Sequence, residues 1–302
     1  MKSTISAIII AYNEEKNISD CLASVSFADE IVVIDNESTD GTSICAKKFT
    51  KHVFVAKRVG YVEPIRNFAL TKATGDWILF LDADEQIPET LAKKLRQIVD
   101  EDFYDAVQIP RKNIIFNKWI EHAGWWPDNL LRFFKKDMIS WPEEIHVQPT
   151  LPERTVTLEP ISENAILHQN YQTISHYLQK LDTYTTVQAK ERIAAKVNFR
   201  IHDLLTNPVK EYISRFFARE GYKDGLHGFV LSLLQGFSEL IVMLKIWEIQ
   251  GFKEYSNILT DVEKERKVAE SEMTYWLLST QIQHNKNPFK KILLKGKRKL
   301  SS

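Results

Sequence analysis

Along the first half of the chain, apolar residues run in short blocks that stop abruptly at polar or acidic ones. Ile5 to Ala11 is a β-rich block, followed by Asn13 as a candidate N-cap and by Glu14 and Glu15, which favour the positive end of a helix. Ile18, Cys21, Leu22 and Val25 then recur at helical spacing and complete a first β-α unit. Glu30 to Asp35 repeats the strand pattern, and the turn-rich stretch from Asn36 to Thr42 leads into a helix through Ile44 and Cys45. His52 to Ala56 reads as a third strand and Ile65 to Ala73 as a helix that Gly75 terminates. A fourth block, Trp77 to Leu81, stops at Asp82-Ala83-Asp84. Pro88 suits a first helical position, and Leu91, Leu95, Ile98 and Val99 mark the buried face of the helix that follows.

Strands alternating with helices at this rhythm predict an α/β domain with a mostly parallel central sheet and helices on both faces. Parallel strands carry their C-terminal ends to one edge, where open α/β sheets bind ligands. Tyr12-Asn13-Glu14, Asp35 and Asp82-Ala83-Asp84 would therefore converge there. Two carboxylates at such an edge suit a divalent metal, Mg or Mn, whose remaining positions go to substrate phosphates and water. The plainer alternative has Asp82 ending the strand and Asp84 or Glu85 starting a helix. No G-x-G-x-x-G follows the first strand and no G-x-x-x-x-G-K-[ST] occurs, so a bound diphosphate is left to the metal and basic side chains.

From about Thr173 strand signals cease and helical periods take over, which divides the chain into an α/β domain at 1–172 and a helical region at 173–302. Phe229 to Trp247 approaches the length of a membrane span, but Gln235, Glu239 and Lys245 are costly in hydrocarbon and argue against one. Tyr212, Phe216, Phe217 and Tyr222 make an aromatic surface suited to packing or to a bilayer.

The chain has 302 residues, 44% of them hydrophobic, enough for a sizeable core. Lys+Arg and Asp+Glu balance at 40 each, which gives no reason to expect nucleic acid as a partner. The balance breaks at the end, where Lys290, Lys291, Lys295, Lys297, Arg298 and Lys299 meet no acid and alternate with Phe289, Ile292, Leu293 and Leu294. That tail suits an anionic membrane surface, solvated disorder being the plain alternative and nucleic-acid contact a third. Cys21 and Cys45 lie in expected amphipathic helices and read as reduced thiols. The first apolar block is too short for a signal peptide, so the expected location is the cytoplasm, peripheral on the inner face of the membrane.

In order and spacing, Ala7 to Glu15, Val33 to Thr42, Arg66-Asn67, and Gly75-Asp76 before Asp82-Ala83-Asp84-Glu85 resemble the family 2 glycosyltransferases. The resemblance implies the GT-A fold, a nucleotide-diphosphate sugar donor, a divalent metal and transfer with inversion. It implies Tyr12 and Glu14 at the nucleotide, Asp35 on the base, Arg66 near the diphosphate, Asp82 on the nucleotide and Asp84 on the metal. Gly124 to Asp128, Leu131 to Phe134, His146, His168, Gly221 to Gly225 and Gly228-Phe229 are similar to a bacterial subgroup that includes lipopolysaccharide core β-glucosyltransferases. The chain departs from that subgroup where Val147, rather than Glu, follows His146. Pro64, just ahead of Arg66, restricts the start of its helix.

Glycosyl transfer needs a carboxylate to take the acceptor proton. Asp128, in an aromatic, Pro-containing loop, is the first candidate, with a turn residue as the alternative; Glu144 is the second. One of Trp125 and Trp126 is expected against a sugar ring, and His146 is a candidate third metal ligand, with a structural histidine as its alternative. His168 reads as a core or supporting residue. The expected activity is transfer of a hexose, from a UDP-sugar, to a saccharide on a bacterial surface glycolipid. The rivals are a non-catalytic nucleotide-sugar-binding scaffold and an Asp-dependent phosphohydrolase.

Overall fold

A computed structural model describes residues 2–57, 63–141, 149–256 and 258–301. Its strands are β1 (Ile5–Ala11), β2 (Glu30–Asp35), β3 (Val53–Val55), β4 (Trp77–Asp82), β5 (Glu85–Gln86), β6 (Ala106–Ile115), β7 (Lys118–Trp119), β8 (Asp128–Lys135), β9 (Thr155–Thr157) and β10 (Ile166–Tyr171). Its α-helices are α1 (Ile18–Ser24), α2 (Thr42–Ala46), α3 (Glu63–Leu70), α4 (Glu89–Glu101), α5 (Ile174–Ala194), α6 (Ile201–Ile213), α7 (Leu226–Ile249), α8 (Ile258–His284) and α9 (Pro288–Ser301). They form two compact units, Met1–Ile115 with Trp126–Asn170 and Phe116–Trp125 with Tyr171–Ser302.

The first unit holds a mixed sheet in the order β3-β2-β1-β4-β8-β6-β10-β5, with β9 parallel to β6. The strands β3, β2, β1 and β4 are parallel, and the central β1 and β4 are the continuous buried apolar blocks expected of such strands. Side-chain alternation divides the core: Ile5, Ala7, Ile9, Leu79 and Leu81 pack with Leu22 of α1 and Leu91 and Leu95 of α4, whereas Ile8, Val32, Ile34, Ile78 and Phe80 pack with Ile65 and Ala69 of α3.

Beyond β4 the pairing turns antiparallel through β8. Phe133 faces Val107 while Leu131 faces Gln108, so Arg132 is the extra residue of a β-bulge. A bulge bends its strand and re-aims the inserted side chain. Here that side chain is a buried arginine.

Several local expectations shift. Asn13 does not cap α1: it adopts φ +54°, and Asn17 stands at the N-cap position. Its side chain bonds the loop after β2, as shown below. Pro88 is the residue before α4 rather than its first, with ψ 150° in extended backbone. Asp128 lies at the start of β8 rather than in a loop, and Glu85 enters β5 instead of a helix start.

In the second unit α7 has the length and composition of a membrane span. Three of its polar residues have partners on α5: Gln235 Nε2 donates to Tyr177 Oη at 2.9 Å, Lys245 Nζ to Asp182 Oδ1 at 2.7 Å, and Glu239 pairs with Arg192. Val242, Met243 and Ile246 of α7 are buried with Ala189 of α5 and Phe199 and Ile201. Composition gave no sign that Phe116–Trp125 belongs to this unit. Buried Asp224 holds that segment by accepting from His122 N at 2.9 Å, while Lys118 Nζ donates to the Asp224 carbonyl at 2.7 Å. The Gly221 to Gly228 motif is thereby structural, since a Cβ on Gly228 would stand 1.8 Å from the Gly221 oxygen.

Candidate active site

The register places Ala11 opposite Asp35 and Ile10 opposite Asp82, so the ends of β1, β2 and β4 share one edge. The loops beyond them are cross-braced. Asn13 Oδ1 accepts from Thr39 N at 2.8 Å, Asn13 N donates to Ser38 Oγ at 3.0 Å, and Ser38 N donates to Asp35 Oδ1 at 3.0 Å. Glu15 accepts from Gly41 N at 3.1 Å, and a Cβ on Gly41 would come within 2.5 Å of Glu15 Oε1. Glu14 accepts from Asn17 Nδ2 at 2.6 Å and its own N–H donates to Thr42 Oγ1 at 2.8 Å. Asp35 and Asn36 are buried beside this loop, and Asn36 Oδ1 has no hydrogen-bond partner among the described residues. Such an orphaned acceptor is costly unless a ligand donor reaches it.

At the end of β4 two arginines meet several acids. The bulge delivers Arg132 Nη2 to Asp82 Oδ2 at 2.5 Å and to Glu85 Oε1 at 3.0 Å. Glu85 is fully buried; it also accepts from Arg111 Nη1 at 3.2 Å and from Asp82 N at 3.0 Å. Burial works to raise the Asp82 carboxyl, but Arg132, Arg111 and Arg66 outweigh it and hold that group well below the usual carboxylate range. For Arg132 burial acts to discharge the guanidinium, and Asp82 and Glu85 more than offset it, keeping it charged.

Asp128 and Asp84 are joined by a buried relay. Arg111 Nε and Nη2 donate to Asp128 Oδ2 at 2.8 and 2.6 Å, and Asn113 Nδ2 approaches the same oxygen at 3.4 Å. Oδ1 of Asp128 accepts from none of the described residues. With its amide nitrogen toward Asp128, Asn113 turns Oδ1 to His168 Nδ1 at 2.7 Å and to Asn170 Nδ2 at 3.2 Å. An amide oxygen only accepts, so His168 Nδ1 carries the proton. In the neutral ring the lone pair on Nε2 then faces Asp84 Oδ2, 3.4 Å away. Two acceptors this close call for a proton or a cation between them. A carboxylate and an imidazole whose far nitrogen is fixed by an amide form a donor pair that suits Mn, the softer of the two ions, completed by phosphate oxygens. Among the described residues no group of three or more His, Cys, Asp or Glu offers a fuller protein cage. His168, expected as a supporting residue, thus stands beside Asp84 directly. The pattern His-x-Asn in β10 was the available signal, since alternate residues of a strand share a face.

Arg66 lies in α3 with its guanidinium 5.3 Å from the centre of the Trp141 ring. Asn67 holds that ring's backbone on both sides, donating to Trp141 O at 2.8 Å and accepting from Trp141 N at 3.1 Å. Glu144 and His146, the second base candidate and the candidate third ligand, lie outside the described residues. Trp125 belongs to the second unit, edge-on to Tyr171 at 6.2 Å with Arg215 5.9 Å from its ring centre.

Residues 6–150 match the family described as Glycosyl transferase family 2. An uncharacterized glycosyltransferase of Rickettsia typhi is 28% identical over 81% of this chain and 87% of its own length. The lipopolysaccharide core biosynthesis glycosyltransferase LpsC of Rhizobium meliloti is 23% identical over 85% of this chain and 97% of its own. The crystal structure of S. aureus TarS 1–349 in complex with UDP-GlcNAc aligns with a TM-score of 0.43 at 17% identity, covering 84% of this chain and 93% of that one.

Proposed function

We propose that this chain, a member of glycosyl transferase family 2 with its GT-A domain in the first unit, moves a hexose from a UDP-sugar to a saccharide on a bacterial surface glycolipid, with inversion. The observation that carries the reading is the meeting of Asp84, His168 and Asp128 through Asn113 at the edge where the β1, β2 and β4 ends converge. The similarity to LpsC, a lipopolysaccharide core biosynthesis glycosyltransferase, supports the choice of a lipopolysaccharide-type acceptor.

In this reading the acceptor hydroxyl attacks the anomeric carbon while the bond from that carbon to the diphosphate oxygen breaks. The electron pair leaves with the nucleoside diphosphate, and the hydroxyl proton passes to Asp128 Oδ1, the oxygen not occupied by Arg111. Arg111 orients Asp128 by holding its other oxygen. Asp84 and His168 would hold the divalent ion, which supplies Lewis-acid stabilisation of the leaving diphosphate. Arg66 adds positive charge there, and Asp35, Tyr12 and Glu14 border the nucleoside, where Asn36 Oδ1 can receive a base donor. Asp82 braces Arg132 from the same edge.

Calorimetric titration of UDP with and without Mn²⁺, on the native chain and on Asp84→Ala, tests the donor half. Binding should require the metal and vanish in the variant. Donor binding without turnover on any glycolipid acceptor would replace this reading with the scaffold.

A further inference from the structure

The last helix of the second unit carries an exposed apolar and basic surface. Its start is well specified: Asn287 Oδ1 accepts from Phe289 N at 3.0 Å and Lys290 N at 3.3 Å, with Pro288 at the first helical position. One side of α9 packs on α8. Leu294 is buried, Arg298 Nη1 donates to Ser279 Oγ at 3.1 Å, and the guanidinium lies 5.2 Å from the centre of the Tyr275 ring.

At 3.6 residues per turn the opposite side bears Phe289, Ile292 and Leu293, which are 83%, 68% and 60% exposed. Lys290 and Lys297 run along one border of this stripe and Lys295 and Lys299 along the other, all four exposed. No acidic residue lies in the helix. We infer that α9 is an interfacial anchor that lies in the surface of an anionic lipid bilayer. Phe289, Ile292 and Leu293 enter the boundary between headgroups and acyl chains, and the flanking lysines extend to the lipid phosphates.

The charge pattern selects this occupant. A nucleic acid would neutralise the lysines and leave three large apolar side chains in water. A purely apolar protein surface would bury the stripe and desolvate four ammonium groups. An anionic bilayer satisfies both, because its negative surface borders an apolar layer at the depth such a helix reaches. The inference rests on α9 alone and is independent of the transferase reading.

Vesicle flotation of the full chain tests it, with phosphatidylcholine vesicles compared with the same lipid containing phosphatidylglycerol, at low and high salt. The native chain should float with the anionic vesicles and be released by salt. Lys295→Gln with Lys299→Gln should lower partitioning about 25-fold, roughly fivefold per charge. Ile292→Ser with Leu293→Ser should lower it at least about tenfold, whereas Lys267→Gln on α8 should not. All these sites are exposed, so an unchanged thermal melt separates lost binding from lost folding. Equal partitioning to neutral and anionic vesicles, or full flotation of the Ile292/Leu293 variant, would overturn the proposal. RNA capture by a chain that ignores vesicles would overturn it in favour of nucleic acid. A chain that floats but fails to bind UDP would instead count against the transferase reading.

Discussion

His168 Nε2 stands 3.4 Å from Asp84 Oδ2 while Asn113 Oδ1 fixes the other ring nitrogen at 2.7 Å. The two residues are far apart in sequence and come together because β10 pairs antiparallel with β5, with His168 opposite Glu85. The relationship turns Nε2 toward the carboxylate, so that either a proton or a cation stands between the two groups.

His168→Ala is therefore expected to weaken Mn²⁺-dependent UDP binding, and Asn113→Ala to weaken it about 10–100-fold by releasing the ring orientation. Calorimetry at several Mn²⁺ concentrations checks both. An Asn113 variant with native metal dependence would remove the relay from the mechanism.

Asp128→Asn keeps the shape and hydrogen bonds of the site but cannot take a proton. The expected outcome is a fall in kcat of about 10²–10⁴-fold with the KM for donor near the native value, measured by release of nucleoside diphosphate in the presence of acceptor. Retained kcat would pass the role of base to another carboxylate.

Arg132→Leu leaves fully buried Glu85 short of one of its two arginines and removes the ion pair to Asp82. Removing one partner of a buried ionic cluster typically costs about 3–5 kcal/mol, so urea unfolding should show a large drop. Adding Glu85→Gln should recover part of it. A near-native stability for Arg132→Leu would mean that water or Arg111 compensates for the lost guanidinium.

The acid side of the stability profile should carry the signature of Asp82. Its carboxyl is depressed in the folded protein, because Arg132, Arg111 and Arg66 outweigh burial. Below about pH 4, where the unfolded carboxyl begins to protonate, the unfolded chain binds more protons than the native one. Stability then falls as pH falls. The contribution is full above the unfolded value and lost through the folded one. Asp82→Asn should flatten the slope of unfolding free energy against pH below about pH 4; an unchanged slope would show that the pairing does not differ between the two states.

Strands β1, β2 and β4 and their acidic ends could be read directly, since a buried parallel strand is a continuous apolar block and its last residue is evident where the block stops. Asp35 and Asp82 close β2 and β4 in this way. The helix start at Pro88 is read one position early and the one at Asn13 falls elsewhere, because capping depends on which partner the side chain meets. Asn13 met Thr39 across the loop.

What only the tertiary structure decided lies in pairings over long separations. That Arg132 is the extra residue of a bulge depends on the count of residues in β6 opposite it, which no pattern within β8 records. That His168 faces Asp84, and that Asn113 joins it to Asp128, depends on three strands lying side by side. Residues 116–125 join the helical unit because Asp224, about a hundred residues on, accepts their N–H groups. Local composition sets backbone preference and burial; the meeting of charged and hydrogen-bonding groups is set by sheet order and register, which emerge only when the whole core is packed.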